Sequence, residues 1–133
     1  MTYSKSLEQL ENDYWEEPGD FPSGLVQNCY KYRKIPLNEL TIEQLRLLIG
    51  QNIGLTYSVP LAMEKLKTNV LEEGDFYEGD LLVAVSKVQV EFWKENQTEF
   101  ETFKKVIETN SEIIANELGP KDLDLIIERL KAV

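Results

Sequence analysis

Apolar residues recur along most of this chain at intervals of three and four, the spacing that lines one face of an α-helix. Ile42, Leu45, Leu48, Ile49 and Ile53 form one such stripe. Thr41 and Gln44 stand at its start as a capping box, in which a hydroxyl and an amide each take an orphan backbone N–H. Ser6 with Gln9, and Thr98 with Glu101, repeat that signature. Gly54 is placed to end the Thr41 helix in a left-handed turn. The next helix is predicted to begin near Ser58, with Pro60 in its first turn, where a missing N–H does no harm. Val59, Ala62, Met63, Leu66 and Val70 would be its apolar face.

The longest periodic stretch runs from Thr98 to about Leu118. Phe100, Phe103, Val106, Ile107, Ile113, Ile114 and Leu118 fall on one side, and mostly Glu and Lys on the other. Gly119-Pro120 closes it, and Leu123, Ile126, Ile127, Leu130 and Val133 mark a final helix. Leu25, Val26, Cys29, Tyr30 and Arg33 predict a short helix after Pro22-Ser23. Leu81 to Trp93 is rich in β-branched residues, as a strand would be. Leu81, Ala84, Val85, Val88 and Phe92 nevertheless keep helical spacing, and Asp80 is a suitable N-cap, so a largely buried helix is expected there. No hairpin signal and no linker interrupts the pattern. The expectation is an all-α, single-domain bundle of six or seven helices spanning the 133 residues.

Charge narrows the range of functions. The 24 acidic and 14 basic residues give a formal net charge of -10. Such a surface does not suit a phosphate backbone, which is bound by releasing counterions to Lys and Arg. Nor does it suit an anionic membrane. It fits solubility, or a positively charged protein partner. No apolar run reaches the ~18–20 residues of a membrane span. The first residues lack the apolar stretch of a signal peptide, so a cytoplasmic location is expected.

Catalytic groups are sparse. The chain has no histidine, which excludes a Ser-His-Asp triad, a Cys-His pair and His-bound zinc. Cys29 is the only cysteine, so no intrachain disulfide or thiolate zinc site can form. No phosphate-binding glycine loop is present. A carboxylate hydrolase remains conceivable in principle, but no pair of acids is singled out. An EF-hand loop starting at Asp75 would meet Tyr77 where a short oxygen ligand belongs and Asp80 where the turn needs glycine. The expectation is a protein with no catalytic residues, no metal and no cofactor. Cys29, Met63, Phe92 and Trp93 read as core residues. Lys31, Arg33 and Lys34 read as a solvated helix end.

Two segments stand apart. ENDYWEEPGDF (Glu11–Phe21) and EEGDFYEGD (Glu72–Asp80) each interleave five carboxylates with large aromatics. Aromatic rings supply buried contact area and carboxylates supply steering, a combination that grips a basic partner. Tyr14, Trp15, Phe76 and Tyr77 are candidate anchors. Glu16, Glu17, Asp20, Glu72, Glu73, Asp75, Glu78 and Asp80 are candidate steering charges. A structural reading competes for the second segment, with Asp80 as helix cap and Gly74 and Gly79 as turn residues.

LNELTIEQLRLLIGQNIGLTYSVPLAMEKL (Leu37–Leu66), EGDFYEGDLLVAV (Glu73–Val85) and FWKEN (Phe92–Asn96) together resemble the bacterial contact-dependent growth inhibition (CDI) immunity proteins. SLEQLENDYWEEP (Ser6–Pro18) is similar to the start of that family. The resemblance implies a cytoplasmic antidote that binds the toxic C-terminal domain of a delivered effector, commonly a nuclease, and blocks it. It implies no catalysis and carries no residue-level binding motif, so the candidate residues rest on this sequence alone. The partner expected is a basic cognate toxin domain, with no direct contact to nucleic acid or membrane. The alternative is an acidic helical adaptor for a basic regulatory or nucleic-acid-binding protein.

Overall fold

The computed structural model describes residues 3–133. Among these the chain forms nine α-helices, one 3₁₀ turn (Leu37–Glu39) and no strand. The helices are α1 (Leu7–Glu11), α2 (Gly24–Tyr32), α3 (Ile42–Gly50), α4 (Leu55–Thr68), α5 (Asp80–Ser86), α6 (Val90–Glu95), α7 (Gln97–Thr109), α8 (Ser111–Leu118) and α9 (Pro120–Lys131). The all-α expectation holds, with more and shorter helices than predicted.

Both capping boxes at Ser6/Gln9 and Thr41/Gln44 form with reciprocal bonds. The Thr98/Glu101 box does not. Helix α7 starts at Gln97 directly after α6, so Thr98 already lies inside the helix and its hydroxyl partners no helix-start N–H. Helix α3 ends before Gly54, with Gly50 as its last residue. Asn52 takes the left-handed conformation (φ 54°), Ile53 N–H donates to Leu48 O and Asn52 N–H to Ile49 O, which is a Schellman closure. Gly54, also left-handed at φ 60°, opens α4 instead. Leu7 packs against it so closely that an added Cβ would lie 2.7 Å from a Leu7 methyl. Pro60 consequently falls inside α4 rather than in its first turn. Thr56, whose carbonyl loses its helical partner there, is exposed, which softens the usual penalty of an interior proline.

Two predicted long helices are broken. The Leu81–Trp93 segment is helical, but it splits at Lys87–Gln89 into α5 and α6. Ser86 Oγ donates to Val83 O at 2.6 Å at the end of α5, the local competition by which hydroxyls favour helix ends. The Thr98–Leu118 stretch splits at Asn110, whose side chain and backbone N–H both donate to Val106 O. This corner lets α8 pack against α9, burying Ile114 while Ile113 stays exposed.

A continuous core runs from Leu7 to Ile126. Its aromatic centre is Trp93, stacked on Phe103 with ring centroids 5.6 Å apart and flanked by Phe92 and Phe100. Helix α3 packs on α4 and α5, α4 on α7, and α9 on α5 and α8. Two surface segments connect the helices without regular structure: the strap between α1 and α2, and the loop between α4 and α5. No helix among the described residues is long and apolar enough to cross a membrane.

Candidate functional site

The strap (residues 12–23) has no regular structure of its own and is organised by one side chain. Arg33, at the end of α2, donates through Nη1 and Nη2 to Asp13 O at 3.0 and 2.9 Å. Nη2 also donates to Glu11 Oε1 at 2.9 Å. The guanidinium carbon lies 4.1 Å above the Trp15 ring, a cation–π contact. Trp15 and Phe21 both meet Tyr30 edge-on, with centroids 5.1 and 5.2 Å away. Arg33 is therefore buried, at 1% exposure, and is not part of a solvated helix end. Lys31 and Lys34 do stay exposed, and Lys34 pairs with Glu17 at 3.2 Å. Of the five carboxylates between Glu11 and Asp20, Glu11, Asp13 and Glu17 thus have basic partners within the chain. Glu16 and Asp20 are exposed, and Tyr14 is 61% exposed.

The 72–80 loop is built around a buried acid. Asp80, the first residue of α5, accepts the N–H of Gly74 at 2.6 Å, of Phe76 at 3.1 Å and of Tyr77 at 3.5 Å. It therefore organises the loop before its helix, and the residue flanking α5 as cap is Gly79. Glu43 on α3 accepts the N–H of Asp75 at 2.9 Å. The same carboxylate holds Arg46 through two hydrogen bonds, and Arg46 Nε lies 3.9 Å from Asp80. The Arg46 hydrogen bond, helped by the Asp75 N–H, keeps the Glu43 carboxyl below its ordinary range despite partial burial. Gly74 is required at the centre: an added Cβ would lie 2.6 Å from Glu43 Oε1 and 2.9 Å from Asp80 Oδ2.

This frame presents two aromatics to solvent. Phe76 is 69% exposed and Tyr77 45% exposed. One side of the Phe76 ring rests on the Arg46 guanidinium, 4.5 Å from its centroid. Burial, and then the neighbouring Asp80 and Asp122 charges, raise the Tyr77 phenol above its usual pKa. Glu72, Glu73, Asp75 and Glu78 make no ion pair among the described residues. Two adjoining depressions, of about 370 and 170 Å³, share Tyr77, Val83 and Lys87. The smaller one is completed by α9 through Asp122, Leu125, Ile126 and Arg129.

The predicted residues therefore fall into two separate clusters, one clasped to α2 and one framed by α3 and α5. Sequence reasoning missed Glu43, Arg46, Leu125 and the buried role of Arg33. The Glu43/Arg46 pair was detectable as opposite charges three apart on one helix. Leu125 carried no signal, because only the docking of α9 brings it beside Tyr77.

An all-α scaffold here presents a hydrogen-bonded acidic loop with two exposed aromatics. The model of the family described as CDI immunity proteins matches residues 9–103, more than half of the chain and all of the 72–80 loop. The chain belongs to that family. No curated protein and no solved structure matches it.

Proposed function

We propose that the protein is the antidote to the toxin domain of a CDI effector, acting in the cytoplasm by tight binding and not by turnover. Family membership carries this reading. The -10 net charge supports a basic toxin, and a nuclease is the toxin class that best explains it, since a cleft that holds RNA or DNA is positive. An acidic antidote competes for such a surface and reaches it quickly, because steered association approaches ~10⁸–10⁹ M⁻¹s⁻¹ at low salt. Speed protects a cell that receives a toxin already active.

The test is to express the C-terminal domain of the effector encoded immediately upstream and measure its activity and its binding to the antidote. Stoichiometric loss of nuclease activity and an association rate that falls steeply with salt are expected. No binding at micromolar concentration would refute the antidote reading. Binding to a toxin that attacks something other than nucleic acid would refute the nuclease assignment alone. An adaptor would instead bind a basic regulator and would not be encoded behind a large secreted effector.

A further inference from the structure

We propose that the toxin docks on the face where the 72–80 loop meets α5 and α9, with Phe76, Tyr77 and Leu125 as apolar anchors, and that the strap lies outside this interface as an internal brace. This rests on the antidote reading and makes it specific to one surface.

Free charge separates the two acidic segments. In the first segment Glu11, Asp13 and Glu17 are paired with Arg33 or Lys34, and the strap's Trp15 ring is covered by Arg33. Recruiting them to a partner would first break those contacts. On the loop, Glu72, Glu73, Asp75 and Glu78 have no basic partner among the described residues, because Arg46 is taken by Glu43 and Asp80. Unpaired surface carboxylates are the ones whose field reaches an approaching cation.

Apolar area points to the same place. Phe76, Tyr77 and Leu125 are 69%, 45% and 49% exposed, and the surface around Tyr77 joins all three. Phe76 rests on Arg46 on one side only, so the rest of its ring is open to a partner. Anchors of this kind contribute most when they are held rigid before binding, since little side-chain and loop entropy is then lost. Asp80, Glu43 and Gly74 hold the loop in that way. Across the face, Lys87 is exposed and also without an acidic partner. The partner that fits is a protein with a basic patch against the loop, an apolar recess for Phe76 and Tyr77, and an acidic group opposite Lys87. Leu125 belongs to α9, beyond the residues 9–103 matched to the family, so the face joins a matched loop to a helix outside the match.

The experiment measures binding kinetics of the purified toxin domain against wild-type antidote and three sets of variants, with each variant's thermal midpoint as a folding control. Phe76→Ala and Tyr77→Ala should each raise Kd at least ~30-fold, mainly through the off-rate. Leu125→Glu sits on α9, takes no part in the loop's hydrogen bonds, and should weaken binding at least ~10-fold with an unchanged midpoint. Joint conversion of Glu72, Glu73 and Glu78 to Gln should slow association ~10-fold at low salt and little at high salt. Tyr14→Ala, Glu16→Gln and Asp20→Asn should stay within ~2-fold of wild type. Anchor variants that fold and bind within ~3-fold of wild type would overturn the proposed face, as would strong weakening by the strap variants. If wild type itself does not bind the toxin, the antidote reading fails and the face falls with it.

Discussion

Replacing Asp80 by Asn changes one oxygen to an NH₂ group of nearly the same size, so it isolates what the carboxylate does for the loop. Asp80 Oδ1 accepts Gly74 N–H at 2.6 Å, while Oδ2 accepts Phe76 and Tyr77 N–H at 3.1 and 3.5 Å. An asparagine has only one acceptor oxygen. With that oxygen toward Gly74, its NH₂ faces two N–H donors. Flipped, it loses the shortest bond. A hydrogen bond to a charged group contributes ~1.5–3 kcal/mol, and a negative charge in the first turn of a helix adds ~0.3–1 kcal/mol. Asp80 is 4% exposed, so water cannot readily replace what is lost. The substitution should therefore cost ~2–4 kcal/mol, which for a domain of this size lowers Tm by roughly 6–15 °C. Thermal melts monitored by circular dichroism give the midpoint, and hydrogen exchange gives the loop. Amides of Gly74, Phe76 and Tyr77 should exchange faster than those of α4. Glu73→Gln, an exposed acid on the same loop, should leave both readouts unchanged. A midpoint within ~2 °C of wild type, with unchanged exchange at Gly74 and Phe76, would refute the claim that this buried acid organises the loop.

Arg33→Ala should cost about 2–4 kcal/mol and free the strap, because it removes the cation under Trp15 and both bonds to Asp13 O. Tryptophan emission from Trp15 should shift to the red in a Trp93→Phe background, and an unshifted spectrum would contradict the clasp. Leu45→Ala and Ile107→Ala, at sites 1% and 2% exposed, should each destabilise by about 2–5 kcal/mol in chemical unfolding. Glu43 is held below the ordinary carboxylate range, so its contribution is complete above pH ~4.5 and disappears as pH falls through its lower folded-state value. The Tm gap between wild type and Glu43→Gln should accordingly be widest near neutral pH and close in acid. A gap that does not vary with pH would show that the Glu43–Arg46 bond is not the cause.

Helical class was written in the three- and four-residue spacing of apolar positions, because amphipathicity is a local property with a fixed period. The caps at Ser6 and Thr41 were legible for the same reason: donor and acceptor are three residues apart in the chain. The two acidic and aromatic segments, and the family they helped to point to, could also be read without coordinates. What spacing could not show was where a helix stops for the sake of its neighbours. The corner at Asn110 follows from α8 packing on α9, and Pro60 falls inside α4 because Gly54 starts that helix early against Leu7. Nor could spacing separate the two acidic segments. Their compositions are alike, yet Arg33 and Lys34 pair with three acids of one, while Glu43 and Asp80 hold the other in place and leave Glu72, Glu73, Asp75 and Glu78 unpaired among the described residues. Composition records how many charges a segment carries. Only tertiary contacts, made between residues distant in the chain, decide which of those charges are already spoken for and which aromatic rings remain uncovered.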